Sequence, residues 1–151
     1  MFTDCYCTQF RRASNALTRV YDAALRPVGL RITQFSLLRS LARLGQATST
    51  EVAAELSLDR TTISRNVKLL VEAGWVDVVD TQDKRERLLS LNKSGQKMIA
   101  DALPYFRKAQ ALVEAEAEPF VKTSTDSQLL RALENLQRAG TDVHEYAQAE
   151  A

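Results

Sequence analysis

The sequence has little of what most enzymes and secreted proteins require. It contains one histidine and two cysteines among 151 residues. It has no glycine-rich phosphate loop, no H-E-x-x-H sequence and no nucleophile motif. An enzymatic function is therefore disfavoured, and no cofactor is predicted. In a reducing cytoplasm, two cysteines are more consistent with thiols or metal ligands than with a structural disulfide.

Long apolar segments are also missing. No run approaches the roughly 18 residues that a membrane-spanning helix needs. The first residues, MFTDCYCTQFRR, lack the basic-then-apolar order of a secretory signal, so a cytoplasmic location is expected by default. Since 45% of the residues are hydrophobic, the chain can form a core. Its length favours one domain, or one domain with an oligomerisation element.

The net charge is only +1, but the charges are unevenly distributed. Residues 1–47 contain seven Arg and two Asp, a balance of +5, whereas residues 48–95 sum to −1 and residues 96–151 to −3. The acidic C-terminal third disfavours binding to an anionic membrane surface. Because the middle region is not basic overall, a nucleic-acid hypothesis for it depends on where its cations point.

Apolar periodicity and capping residues predict six helices and one hairpin. The first helix covers residues 6–25, and the long fifth helix covers residues 93–121, where Pro104 should kink it. Between the fourth and fifth helices, WVDVVD and RLLSL flank the polar stretch TQDKRE, which is typical of a hairpin with a charged tip. The predicted caps are Thr33, Thr48 with Glu51, Asp59, Asn92, and Thr125 with Gln128.

The fourth predicted helix, which ends at Gly74, has two contrasting faces. One is an ordinary buried stripe of Ile63, Val67, Leu70 and Val71. The opposite stripe consists of Thr61, Ser64, Arg65 and Lys68. A solvated face usually mixes Glu with Lys, yet no acid lies between Arg60 and Val71. Short hydroxyls and cations suit a helix that approaches DNA, because phosphates would repel a carboxylate.

The order of elements predicts a mainly α fold with a small β-hairpin wing. The third helix, a tight turn, the fourth helix and the hairpin form a winged helix-turn-helix, whose second helix enters the major groove. The apolar stripes of residues 6–25 and 96–147 exceed what one small winged-helix core can cover, which predicts a partner surface. We therefore expect residues 33–95 to be the DNA-binding region, with residues 1–32 and 96–151 forming dimerisation helices.

Over nearly its full length, the chain resembles the MarR (multiple antibiotic resistance regulator) family of transcription factors. The most specific part runs from TSTEVAAELSLDRTTISRNVKLLVEAGWV through DTQDKRERLLSLNKSG, and LRITQFSLLRSL also resembles the family's second helix. DTQDKRERLLSLNKSG is similar to the family's wing signature, with Asn where Thr is usual. Its matching positions are Asp80, Asp83, Arg85, Leu91, Asn92 and Gly95.

The resemblance implies an obligate homodimer whose N- and C-terminal helices interlock and which binds a short palindrome in double-stranded DNA. It also implies repression that a small molecule or a thiol modification usually relieves. An alternative of another class is a helical protein-interaction dimer without DNA binding. The intact cations of the fourth helix and the wing disfavour that alternative.

The predicted DNA contacts lie in the fourth helix and the wing. Arg65 is the best candidate for a base contact, since its planar fork can pair with guanine. A wing cation can enter the narrow minor groove. One of the three wing cations can instead be structural, paired with Asp80 or Asp83, and the resemblance to the family makes Arg85 the candidate for that role. The candidates are Thr61, Thr62, Ser64, Arg65 and Lys68 in the helix and Lys84, Arg85 and Arg87 in the wing.

Cys5 and Cys7 are the candidates for thiol sensing or soft-metal binding. Two thiolates do not complete a four-ligand zinc site, although a dimer could supply four. In the alternative interpretation they are small apolar residues at a helix start. His144 is far away in sequence and is interpreted as an ordinary surface or interface residue.

An effector pocket is expected among aromatic residues, most of which are core residues in the alternative interpretation. The basic surplus of the N-terminal helices would suit an anionic aromatic ligand, and the same arginines could equally contact DNA phosphates. The candidate residues are Phe10, Tyr21, Phe35, Tyr105 and Phe106.

Overall fold

The computed structural model describes residues 4–80, 87–118, 120–121 and 127–141. The chain divides into two compact units, Met1–Ala109 and Gln110–Ala151. The helices are α1 (Tyr6–Leu25), α2 (Ile32–Leu44), α3 (Ser49–Leu56), α4 (Arg60–Glu72), α5 (Lys93–Glu116) and α6 (Gln128–Thr141). The strands are β1 (Gln46–Thr48), β2 (Val76–Asp80) and β3 (Arg87–Leu91), and a 3-10 turn at Arg26–Val28 separates α1 from α2.

The three strands form one antiparallel sheet in the order β1-β3-β2. β2 and β3 are the predicted hairpin, with Val76 opposite Leu91, and its tip lies outside the described residues. β1 is missing from the sequence prediction because three residues are too few to show an alternating pattern. Its pairing places Ala47 opposite Leu89, and both side chains are buried. The hairpin is thereby joined to the segment that leads into α3.

The helix-turn-helix begins at caps that the sequence predicted correctly. Thr48 Oγ1 accepts a hydrogen bond from Glu51 N at 3.2 Å, and Glu51 Oε2 accepts one from Thr48 N at 2.7 Å. Asp59 Oδ1 accepts a hydrogen bond from Thr62 N at 2.9 Å. Between α3 and α4, Ser57 adopts a left-handed conformation with φ 51°, which lets the chain reverse within a short turn. Local hydrogen bonds therefore define where both helices start.

Two helix boundaries differ from the prediction. α2 is not capped by Thr33, because the helix already begins at Ile32. Asp22 of α1 accepts a hydrogen bond from Ile32 N at 2.7 Å, and Gln34 Oε1 accepts one from Arg31 N at 3.0 Å, so the start of α2 is capped partly from another helix. α5 ends at Glu116 rather than near residue 121. Pro104 lies inside α5, and its kink stays a prediction.

Asn92 caps α5 as predicted, since its Oδ1 accepts a hydrogen bond from Gly95 N at 3.0 Å. Thr125 lies outside the described residues. At the start of α6, Ser127 Oγ accepts a hydrogen bond from Leu130 N at 3.1 Å. Ser127 thus satisfies an N–H group of the first turn of α6.

The core of the first unit is built around α2. Phe35, Leu37, Leu38 and Leu41 are fully buried, and α3, α4 and β2 each add buried side chains to the same cluster. Full burial of one such side chain stabilises the fold by about 1.5–3 kcal/mol. The helix-turn-helix therefore packs against α2. Among the described residues, no helix is long and apolar enough to span a lipid bilayer.

Gly95 lies where the first turn of α5 packs against the chain that leaves α4. A Cβ atom at this position would lie 2.3 Å from Trp75 O and 2.5 Å from Leu91 Cδ1. Cβ atoms in protein structures do not come this close to an oxygen atom. Because this oxygen belongs to the backbone, it cannot move away as a flexible side chain can. Glycine is required here because α5 could not otherwise pack so close to Trp75.

We predict that Gly95→Ala destabilises the first unit by about 1–3 kcal/mol, because the added methyl group must displace backbone. Urea unfolding followed by circular dichroism measures the change. Gly140→Ala is the matched control, since nothing lies within 4 Å of a Cβ built at Gly140 in α6. If Gly95→Ala and Gly140→Ala changed the free energy of unfolding equally, Gly95 would not be packed closely against Trp75.

Candidate nucleic-acid interface

α4 has the two faces that its sequence predicts. Ile63 and Leu70 are buried, and Val67 and Val71 pack against the core cluster. The opposite face is exposed and consists of Thr61, Ser64, Arg65 and Lys68. The helix is therefore anchored along one side and presents hydroxyl and cationic groups along the other.

The two cations of this face differ in their surroundings. Lys68 Nζ lies 3.8 Å from Glu72 Oε1, one turn further along α4. With side chains 75% and 58% exposed, such a pair contributes little and can exchange its partner for a phosphate. Arg65 has no ion pair with any residue that the structure describes. Its guanidinium group is available to bind a ligand outside the protein.

Thr62 has a structural role in addition to its predicted DNA contact. It is half-buried, and its hydroxyl donates a hydrogen bond to Asp59 Oδ2. Its backbone N–H donates to the other carboxylate oxygen. In this structure the Thr62 hydroxyl is used by the cap of α4, and its contact with DNA stays a prediction.

The caps of both helices lower the pKa of the carboxyl groups involved. Hydrogen bonds from the Thr62 hydroxyl, and then from its N–H, lower the pKa of Asp59 below its ordinary value. Hydrogen bonds from the Thr48 N–H, and then from its hydroxyl, do the same for Glu51. Both carboxylates are therefore ionised at neutral pH. Their negative charges interact favourably with the positive ends of the α3 and α4 helix dipoles. They lie at helix starts, outside the exposed face of α4.

The wing is described only at its base. Arg87 is exposed and opens β3, at the position opposite Asp80 in the ladder. Lys84, Arg85 and Asp83 lie in the tip, outside the described residues. The predicted minor-groove contact, and the alternative ion pair of Arg85, both stay predictions.

Three of the five residues predicted for the effector pocket come together. The ring centroids of Tyr21 and Phe106 are 5.4 Å apart, and those of Phe35 and Phe106 are 5.0 Å apart. Phe35 is fully buried, whereas Phe10 and Tyr105 are 41% and 37% exposed. The aromatic cluster thus joins α1, α2 and α5, and Phe10 and Tyr105 lie outside it.

An arginine that the sequence did not single out lies over this cluster. The Arg39 guanidinium carbon is 5.3 Å from the Phe106 centroid and 5.8 Å from that of Phe35, which is cation–π geometry. Both Phe35 and Phe106 line an open groove of about 540 Å³, together with Arg39 and Ser40. Ser40 is 3% exposed, and its hydroxyl has no hydrogen-bond partner among the described residues. No sequence pattern signals such a groove, because its residues lie on separate helices.

Cys5 immediately precedes α1 and Cys7 lies in its first turn, and both are exposed. Hydrogen bonds from the Thr8 hydroxyl and N–H lower the pKa of the Cys5 thiol, and the charge of Arg11 adds to this effect. Within the described residues, no group of three or more His, Cys, Asp or Glu side chains is arranged to hold a metal ion. His144 lies outside those residues, and thiol sensing stays a prediction.

Comparison with known proteins assigns the helix-turn-helix region to a family. The MarR family model matches residues 28–86. An uncharacterised HTH-type transcriptional regulator, YwoH of Bacillus subtilis (strain 168), is 33% identical over 89 residues. That alignment spans 59% of this chain and 65% of YwoH, so it covers less than two thirds of that relative.

Solved structures extend the similarity to almost the whole chain. The transcriptional regulator MosR of M. tuberculosis, crystallised in complex with DNA, is 34% identical with a TM-score of 0.78. The alignment covers 93% of this chain and 98% of MosR. A cysteine-to-serine mutant of E. coli MarR, complexed with operator DNA, shares the fold with a TM-score of 0.70 at 21% identity. It aligns over 87% of this chain and 90% of MarR.

We predict that acid loosens the first turn of α4. The pKa of Asp59 is lower in the folded protein than in the unfolded chain, so its stabilising effect is complete above the ordinary aspartate pKa. The effect is lost as the pH falls through the lowered pKa. The NMR shift of the Thr62 amide should follow this titration. Asp59→Asn retains a capping oxygen that does not titrate, and an unchanged titration in that variant would contradict the cap.

Proposed function

The chain belongs to the MarR family of transcriptional regulators, and we propose that it is a homodimer that binds a palindromic DNA operator. We propose further that it represses transcription until a small-molecule effector releases it. The observation on which the proposal rests is the exposed face of α4. This face presents Arg65, Lys68 and two hydroxyls with no acid among them, on a helix fixed to the core.

The chemistry of the face matches a major groove. An exposed guanidinium group can donate two hydrogen bonds to a guanine edge, and short hydroxyls allow the helix backbone to come close. Lys68 lies one turn after Ser64 and can contact a phosphate. The 34% identical MosR was crystallised with DNA, which supports the same partner for this chain. Arg87 at the base of the wing adds a cation beside the motif.

Each unit supports dimerisation by exposing apolar side chains. In the first unit, α1 exposes Tyr6 by 82%, and Phe10 and Leu17 are also exposed. In the second unit, α6 exposes Leu130 and Leu136. Monomers rarely leave such surfaces uncovered, so a second copy of the chain is the proposed partner. A two-fold axis would place the two α4 helices about 34 Å apart, one turn of DNA.

The groove beside Arg39 supports a small-molecule effector. Phe106 offers aromatic surface, Arg39 offers a positive charge, and the buried Ser40 hydroxyl can still form a hydrogen bond. Such a set of groups suits an anionic aromatic molecule whose acid pairs with Arg39, since Glu55 in the same groove is already paired with Arg43. The groove lies between helices that also support α4, so an occupant can alter how α4 is held.

We predict that Arg65→Ala weakens operator binding by about 1–3 kcal/mol and relaxes the preference at one base position in each half-site. The operator is first obtained by selecting bound fragments from random duplex DNA. Affinity is then measured by fluorescence anisotropy at several salt concentrations, where it should fall steeply because phosphate contacts release counterions.

Arg107→Ala is the control for this variant, because it removes an equal charge from an exposed position on α5. An equal loss on every DNA sequence would show that Arg65 contacts only phosphate. If wild type selected no DNA at all, the protein-interaction alternative would replace the proposed function.

We predict that Leu130→Glu combined with Leu136→Glu separates the dimer, because four charges would then lie in an apolar contact surface. Multi-angle light scattering should show the mass of one chain instead of two. Asn135→Glu places the same residue on the other side of α6 and should leave the dimer intact. A double variant that stays dimeric would remove α6 from the proposed interface.

A further inference from the structure

One side chain joins three elements of the first unit. Asn92 lies between β3 and α5, and its Oδ1 accepts a hydrogen bond from Gly95 N at 3.0 Å. Its Nδ2 donates to Gly74 O at 3.0 Å and to Asp77 Oδ1, also at 3.0 Å. Gly74 follows the end of α4, and Asp77 lies in β2. The Asn92 side chain therefore connects the start of α5 with the end of α4 and with the hairpin.

The backbone around Asn92 reinforces the same junction. Asn92 N donates a hydrogen bond to Trp75 O at 3.3 Å, and Trp75 N donates to Leu70 O, in the last turns of α4, at 3.1 Å. Gly95 packs directly against Trp75 O, where there is no space for a Cβ atom. We call Asn92, Gly74, Trp75, Asp77 and Gly95 the Asn92 node. It links the start of α5 to the C-terminal end of α4 by hydrogen bonds and by the close packing of Gly95.

Capping α5 does not require an amide. The cap needs only a side-chain oxygen, which Ser, Thr or Asp would also provide. An Asn side chain adds N–H donors that a Thr lacks. Here the Nδ2 group bonds to residues 18 and 15 positions earlier in the chain. These two bonds act between elements, whereas the cap acts within α5.

We propose that Asn92 is a positioning residue for DNA binding, whose amide group fixes the orientation of α4 relative to α5. Without this amide group, α4 would sample more orientations. Binding to the major groove of DNA would then have to order α4, which would lower the affinity. α5 begins directly after Asn92, so the node connects the first turn of α5 to the end of α4. This inference rests on the proposed DNA-binding function.

The test distinguishes the capping role of the Asn92 side-chain oxygen from the role of its Nδ2 hydrogen bonds. Asn92→Thr keeps an oxygen for Gly95 N and removes both donors. Asp77→Ala removes one acceptor, and Asp77→Asn keeps an acceptor oxygen while removing the same negative charge. We expect Asn92→Thr to weaken operator affinity about three- to tenfold, with little change in the melting temperature. Asp77→Ala should bind more weakly than Asp77→Asn, and this difference should vanish when Asn92 is already Thr.

A second readout does not depend on DNA. Amide hydrogen exchange in Asn92→Thr should accelerate at Trp75, whose N–H lies at the node, while Gly95 stays protected by the retained cap. If the Trp75 amide exchanged at the same rate in Asn92→Thr as in wild type, the Asn92 node itself would be overturned. Unchanged operator affinity together with faster exchange at Trp75 would overturn the positioning role.

Failure of the proposed function would look different. If wild type bound no duplex DNA, the operator measurements would fail for every variant, while the exchange measurement would still decide whether the node forms. Should Asn92→Thr fail to fold, the comparison of Asp77→Ala with Asp77→Asn tests the same donor with the cap intact. Equal affinity of those two variants would then overturn the proposal.

Discussion

The burial of α2 is the constraint on which the rest of the first unit depends. Phe35, Leu37, Leu38 and Leu41 have no exposed surface, and side chains from α3, α4 and β2 join the same cluster. α4 can expose an entire polar face only because its other face is attached to this cluster. The burial also places Arg39 and Ser40 of α2 beside the open groove. One buried helix thus holds both surfaces that the proposed function needs.

Features determined by neighbouring residues were predictable from the sequence. The caps at Thr48, Asp59 and Asn92 form as expected, because each depends on an N–H group within three residues. The two faces of α4 follow from helical periodicity alone. The hairpin is also a local structure, since its two strands are separated only by the polar tip. The spacing of Arg65 from the buried residues of α4 was therefore enough to assign it to the exposed face.

Features that depend on distant residues were not predictable. Thr33 was the wrong choice because α2 begins at Ile32, and one of its first N–H groups bonds to Asp22, ten residues earlier and on another helix. β1 forms only because β3 offers it a pairing edge. Arg39 lies over two rings from different helices, and the sequence places those rings seventy-one residues apart. Asn92 was predicted as a cap, whereas its contacts with Gly74 and Asp77 require the folded hairpin.

The order of the sheet has a consequence for self-association of the wing. Among the strands that the structure describes, β3 is central and β2 lies at an edge, and the exposed Val78 and Val79 of β2 would suit the addition of a strand from another molecule. Antiparallel pairing of two β2 strands that sets Val78 opposite Val79 would set position 77 of one copy opposite position 80 of the other. Both positions are aspartates, and like charges directly opposite each other destabilise a ladder. Charge repulsion therefore disfavours this register of self-pairing between two copies of β2.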